Sequence, residues 1–301
     1  MENTAMKDLI IGGASGYDWE KMKLWVNSIK KSGFQGDTVL VATNITKATI
    51  DKLVEEKVGV ALYGQQQPDG SFAYNSGGRA PHVDRFFYMW NHLMTTPEEY
   101  RYVVTTDVRD VIFQSDPMEW LTKNMKQEKL VCASEGMTYG TEPWGSQNYQ
   151  KCFGPFFFEL IKNELIYNVG TFGGKFHYVR DMLLMIFQMS QNRPIPVVDQ
   201  AVFNFIINQF PYKPHTAFCK NIDAWAAQLG TTAEAIDAGA GDIGNQNPSA
   251  RMQHKLNYVD SQIKIDYDSG KVTNSYGDPF AIVHQYDRIP KLKEKVEALY
   301  G

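Results

Sequence analysis

The feature that most constrains this chain is the run Tyr102-Val103-Val104-Thr105-Thr106, followed at once by Asp107-Val108-Arg109-Asp110 and then by Val111-Ile112-Phe113. A short segment so rich in Val and Thr reads as a strand buried on both faces, as in a parallel sheet. Open parallel sheets place their ligands just beyond the carboxyl ends of the strands. Asp107 stands where such a strand should stop. Residues three apart on a continuous strand point to opposite faces, so Asp107 and Asp110 can share a ligand only if the chain turns at Asp107. A turn there lets both carboxylates face one hard cation, the usual arrangement for a metal that holds substrate phosphates. A strand-end Asp that caps its own turn, with Asp110 paired to Arg109 or a lysine, accounts for the same spacing on structural grounds.

Around this run the chain alternates strands and helices. Asp8 to Gly13 is a short strand, and a helix follows from about Trp19 to Lys31 with Met22, Trp25, Val26 and Ile29 at helical spacing, ended by Gly33. Thr38 to Ala42, Ile50 to Lys57 and Val58 to Leu62 read as strand, helix and strand. The sum is β-α-β-α-β, the pattern of an open α/β sheet. A polar stretch from Gln65 to Pro81 reads as a mobile flap before a helix over Val83 to Met94. Later elements are a strand at Leu130 to Ala133, a strand or turn at Tyr167 to Gly170, and helices near Tyr178 to Gln191 and Gln200 to Asn208. Ala226 to Ala250 reads as a loop or short helical insertion, Gln262 to Val272 as a hairpin about Asp-Ser-Gly, and Ala281 to His284 as a short strand ending on histidine.

Composition narrows the function. With 301 residues and a formal net charge of -4, the chain shows no basic stripe, which argues against a nucleic-acid surface. The first eight residues lack the charged and apolar regions of a signal peptide, and no apolar run reaches the ~20 residues of a membrane span. These features lead us to expect a soluble, cytoplasmic protein. Cys132, Cys152 and Cys219 are far apart and lack C-x-x-C spacing, so buried thiols are expected rather than disulfides or zinc.

Two phosphate-binding motifs are excluded. Gly12-Gly13-Ala14-Ser15-Gly16 follows a strand, but it is not G-x-G-x-x-G, and the second strand ends in Thr43-Asn44 with no acidic residue for a ribose. Tyr17-x-x-x-Lys21 lies too early for a dehydrogenase pair, and no Gly-Lys-Ser/Thr follows to make a P-loop.

The first strand, the Asp107 turn, Asn168-Val169-Gly170, Asp199-Gln200 and His284 occur in an order that resembles a GT-A glycosyltransferase. The closest resemblances are to the retaining family of glycogenin and bacterial galactosyltransferases and to the glycosyltransferase domain of collagen lysyl hydroxylases, over about Leu9 to Lys293. The resemblance implies a single GT-A-type, Rossmann-like α/β/α sandwich with a mostly parallel central sheet over residues 1–301. Residues 1–115 would bind the nucleotide sugar, and 116–301 would bind the acceptor and supply a C-terminal metal ligand. It further implies manganese, or magnesium, on Asp107, Asp110 and His284; nitrogen ligation favours the transition metal.

By the same resemblance Gly12, Gly13 and Tyr17 form the base pocket, with Tyr17 stacked on the base. Arg85 meets the donor, and Asn168 and Gly170 lie beside the sugar with Asp107. Glu135 touches sugar hydroxyls, and Asp199 and Gln200 stand nearest the reacting carbon. The family's C-terminal glycine is absent from His284-Gln285-Tyr286-Asp287-Arg288, so Arg288 or Lys291 is expected to contact the phosphates. On structural grounds Asp199 could equally be the N-cap of its helix.

The implied reaction moves a sugar from a nucleoside-diphosphate donor, UDP favoured, to a glycan, protein or small-molecule acceptor, with retention. A sugar-nucleotide pyrophosphorylase would share the fold, but its Gly-rich loop with Thr-Arg is missing near Gly12. A noncatalytic carbohydrate-binding protein would keep the aromatic residues without a nucleotide or metal response.

Overall fold

The computed structural model describes residues 6–78, 80–97, 99–240 and 245–301. The chain begins with β1 (Leu9–Ser15), α1 (Trp19–Lys31), β2 (Asp37–Thr43), α2 (Lys47–Glu55) and β3 (Gly59–Leu62). The polar stretch after β3 contains a small hairpin, β4 (Gln65–Gln66) and β5 (Phe72–Ala73). Next come α3 (Pro81–Thr95), β6 (Tyr102–Thr106), β7 (Val111–Phe113), α4 (Pro117–Asn124), β8 (Leu130–Thr138) and α5 (Pro143–Ile161). Then follow β9 (Leu165–Lys175), α6 (Phe176–Ser190), α7 (Asp199–Ile207), β10 (Thr216–Cys219) and β11 (Ala226–Gln228). The expected hairpin is β12 (Lys264–Asp266) with β13 (Lys271–Thr273), and β14 (Ile282–His284) precedes a last helix, Pro290–Tyr300.

Seven strands form the central sheet in the order β10-β8-β9-β6-β1-β2-β3, and β9 alone runs antiparallel to its neighbours. This is the mostly parallel α/β sheet expected from the sequence. Alternate residues of its strands feed two cores. Leu9, Ile11, Val41 and Val103 pack against α3, α6 and α7, whereas Ile10, Leu40, Tyr102 and Val104 pack against α1, α4 and β7. Burial on both faces explains the near-continuous apolar reading of β1 and β6.

Where the fold departs from expectation, a physical reason is visible. Tyr167 to Gly170, expected as a strand or turn, is the strand of those two and extends further, to 11 residues in mid-sheet. Its glycines answer close packing: a Cβ on Gly173 would lie 3.0 Å from the Val103 carbonyl oxygen. Gly12 and Gly13 lie inside β1, which runs on to Ser15, and α1 starts only after Asp18 caps it by accepting from the Lys21 N–H. Ala226 to Gln228, expected in a loop, is a fully buried strand parallel to β14, and a short helix, Ala233–Asp237, follows; residues 241–244 of that segment lie outside the described residues. Four helices without an expectation from the sequence, α4, α5, Pro248–Leu256 and Pro290–Tyr300, all carry proline in the first turn. Proline suits that position because its missing N–H would be unpaired there anyway.

The three cysteines are buried free thiols. Among the described residues no helix is long and apolar enough to cross a membrane.

Candidate active site and metal centre

The chain leaves the central sheet at Thr106 and enters a second sheet, of order β11-β14-β7, at Val111. Asp107 and Asp110 occupy the connection, so the strand does stop where the sequence requires. The Asp107 N–H donates to the Gly170 carbonyl at 2.8 Å, and the Gln285 N–H donates to the Asp110 carbonyl at 2.7 Å. The turn is thus held from both sheets. Because β14 pairs antiparallel with β7 and His284 lies opposite Val111, the histidine arrives beside Asp110 by strand register.

The result is a compact trio. His284 Nε2 lies 3.5 Å from Asp107 Oδ2 and 3.7 Å from Asp110 Oδ1. Two carboxylates and an imidazole at such spacing fit a divalent cation, whose ligands at ~2.1 Å stand about 3 Å apart in octahedral geometry. The imidazole is prepared for the role: its Nδ1 lies 2.7 Å from Gln228 Oε1, and the Gln228 amide donates to Thr171 Oγ1 at 2.6 Å. All three side chains are buried. Since the Gln228 amide is committed to Thr171, its oxygen accepts from His284 Nδ1–H, which leaves Nε2 facing the carboxylates. Burial opposes ionisation of Asp110, but the charges of His284, Arg109 and Arg288 prevail and hold it well below the usual carboxylate range.

Arg85, from α3, donates to Asp107 Oδ1, and its Nη2 lies 3.6 Å from Asp199 Oδ2. Burial lowers its pKa and Asp199 opposes that most strongly. Asp199 is the first residue of α7, not its cap; Val198 stands at the cap position and Asp199 makes no capping bond. Asn168 Nδ2 donates to Glu135 Oε1 at 2.7 Å, while Asn168 Oδ1 accepts from the Gly170 N–H at 2.6 Å. Glu135 does not end its strand. It lies inside β8 where the pairing with β9 is irregular, and burial, despite the Asn168 hydrogen bond, pushes its carboxyl up to about 7.

These groups face a cavity of about 310 Å³ lined by Gly13, Tyr17, Arg85, Asp107, Asp110, Asn168, Gly170, Asp199, Gln200, His284 and Arg288. Through Gly13, Tyr17, His82 and Arg85 it joins a second cavity of about 300 Å³ that reaches Thr43, Asn44 and Tyr74. Glu135 lines a third, adjoining one. Two expected residues are not brought in. Gly12 faces the opposite side of β1, where a Cβ would lie 2.5 Å from Val108 Cγ2, because neighbouring strand residues alternate in direction. Lys291 is exposed on the last helix, outside the cavity lining, and Arg288 alone of the two basic candidates lines it.

Sequence reasoning missed Gln228, Thr171, Gln285 and Trp144. Gln285 adopts a left-handed conformation, φ 61°, that re-aims the chain after β14 toward Arg288. Trp144 could have been suspected from Glu142-Pro143-Trp144, an acidic cap and a proline before an aromatic. Gln228 carries no such signal.

No protein-family model matches the chain, and no curated protein matches it by sequence. Solved structures do. The fold is similar to the apo form of the bifunctional glycosyltransferase WbbM, with TM-score 0.55 and 10% identity over 98% of this chain and 50% of that one. It is also similar to galactosyltransferase LgtC in complex with donor and acceptor sugar analogs, with TM-score 0.54 and 10% identity over 96% and 95% of the two chains. An active-site mutant of LgtC gives TM-score 0.52 and 11% identity over 92% and 86%. The chain therefore has the GT-A glycosyltransferase fold. It spans half the WbbM chain and nearly the whole of LgtC, the neighbour it matches most completely end to end among these three.

Proposed function

We propose that this protein is a divalent-metal-dependent glycosyltransferase that takes a sugar from a nucleoside-diphosphate donor, UDP favoured, and passes it to an acceptor hydroxyl with retention. The observation that carries the reading is the Asp107, Asp110 and His284 trio in a cavity of about 310 Å³ that adjoins a second of about 300 Å³. The cavity toward Thr43 and Asn44 takes the nucleoside, with Tyr17 against the base. This assigns the nucleoside contacts to residues 1–115.

Asp107, Asp110 and His284 would hold the cation, manganese in preference to magnesium because of the imidazole. When bound, it supplies Lewis-acid stabilisation of the diphosphate. The remaining work falls to the chain. The departing diphosphate gains about one negative charge, and a unit pair at 4 Å and an effective dielectric near 20 is worth about 4 kcal/mol. Arg288, at the cavity wall, is placed to meet that charge. Arg85 holds Asp107 and Asp199 in place across the cleft. Gln200 and Asp199 stand nearest the reacting carbon, and Glu135, tied to Asn168, faces the sugar hydroxyls. Asp199 Oδ2 lies 3.6 Å from the Arg85 guanidinium, which it shares with Asp107.

The test is a thermal-shift panel of nucleotides and nucleotide sugars with and without manganese, followed by donor hydrolysis in the wild type and in Asp110→Ala. A manganese-linked shift and loss of hydrolysis in the variant are expected. Undiminished hydrolysis in Asp110→Ala would overturn the reading.

A further inference from the structure

Arg109 lies between Asp107 and Asp110 in the chain, and its side chain turns to the cavity they share. Its Nη2 donates to Asp110 Oδ2 at 3.3 Å, whereas His284 faces the other carboxylate oxygen, Oδ1, at 3.7 Å. The same arginine nitrogen lies 3.7 Å from Asp287 Oδ2, and Arg288 Nη1 lies 3.5 Å from that oxygen. The Asp287 carboxylate therefore holds two guanidiniums side by side, and both arginines line the cavity. The backbone is fixed as well, because the Tyr286 hydroxyl donates to the Arg109 carbonyl at 3.2 Å.

These guanidiniums are loosely paired. Among the described residues, the contact with Asp110 is the one hydrogen bond of the Arg109 side chain, and both contacts with Asp287 are ion pairs without hydrogen-bond geometry. The Arg109 side chain is also 48% exposed. Ion pairs of this kind contribute little, so exchanging a carboxylate for another anion costs little. Most N–H donors of the planar fork stay available, and that fork matches a phosphate.

The local charge decides which anion fits. With a divalent cation on the trio, the Asp110 charge is met from the side of His284, and Asp287 alone is left to balance two guanidiniums. A surplus of positive charge then stands at the cavity wall next to the metal ligands, where it suits a diphosphate better than a neutral ligand.

We propose that Arg109 is a second diphosphate-binding residue, whose guanidinium passes from Asp110 to the nucleoside diphosphate and grips it together with Arg288. The inference rests on the glycosyltransferase reading above.

The experiment is calorimetry on manganese-saturated protein. UDP, GDP, ADP and CDP are titrated, the tightest binder is kept, and it is compared with its own monophosphate in the wild type and in Arg109→Gln. The variant should bind the diphosphate about tenfold or more weakly and the monophosphate less than about threefold more weakly. Manganese affinity of the nucleotide-free protein, read by EPR, separates this role from mere positioning of Asp110. In Arg109→Gln it should equal or exceed the wild-type value, because Arg109 competes for the Asp110 charge, and full manganese stoichiometry serves as the folding control. Unchanged diphosphate affinity, equal losses for diphosphate and monophosphate, or manganese affinity lower by about threefold or more would overturn the inference. Failure of every diphosphate to bind the manganese-loaded wild type would instead overturn the parent reading.

Discussion

Nδ1 of His284 and Oε1 of Gln228 lie 2.7 Å apart, and the Gln228 amide is anchored on Thr171 Oγ1 at 2.6 Å. This chain fixes both the tautomer and the ring plane of the histidine. Gln228→Leu keeps approximate side-chain size while removing the acceptor, so the imidazole is free to rotate or change tautomer. Manganese affinity measured by calorimetry should fall about 10- to 100-fold. The nitrogen coupling in the pulsed EPR spectrum of bound manganese should weaken with it, a change that simple destabilisation would not produce.

Gly170 tests the turn from the other side. A Cβ there would lie 2.7 Å from Asp107 Oδ2 and 2.9 Å from Asn168 Oδ1, both at the ends of side chains. Gly170→Ala should therefore fold, with the Asp107 carboxylate pushed from its place. Manganese binding should weaken by at least about tenfold while thermal stability falls by only about 1–3 kcal/mol, checked by calorimetry and urea unfolding.

Glu135 gives a pH dependence with a definite sign. Its carboxyl titrates at about 7 in the folded protein against an ordinary 4.5, so the folded state binds more protons between those values. Stability from this group falls as pH rises from about 4.5 through 7, and the loss is complete above that window. Glu135→Gln keeps an acceptor for Asn168 and cannot ionise. In urea unfolding it should be about 3 kcal/mol more stable than the wild type at pH ~8, with the difference vanishing toward pH ~4.5.

Tyr17 lines both the cavity that holds Asp107, Asp110 and His284 and the one that reaches Thr43 and Asn44. If it stacks on the base, Tyr17→Ala should forfeit about 1–3 kcal/mol of donor binding. Donor KM should rise by roughly 10- to 100-fold with a smaller change in kcat, and an unchanged KM would remove Tyr17 from the base site.

Much of the sheet was legible because its strands declare themselves. Val103, Val104 and Ile10 are apolar in sequence since both faces of their strands are covered, and the helices α1 and α3 show their buried stripes at helical spacing. The strand β11 was not legible. Ala226, Ala227 and Gln228 are too small and polar to signal a strand, and only burial and pairing with β14 make them one. Gly12, which the resemblance assigned to the base pocket, is turned by its place in β1 toward Val108 and Trp25.

The sequence by itself determined that Asp107 and Asp110 can share a ligand only if the buried strand ends at Asp107, because residues three apart on an extended chain point to opposite faces. It also supplied the helical and strand periods that build an open α/β sheet. What the tertiary structure alone decided is which distant residues meet at that turn. His284 stands beside Asp110 through the antiparallel register of β14 on β7, and Gln228 reaches His284 through the parallel register of β11 on β14. Local periodicity records which face of an element is buried, but pairing between strands as far apart in the chain as β11 and β14 or β7 and β14 leaves no mark in the spacing of either partner.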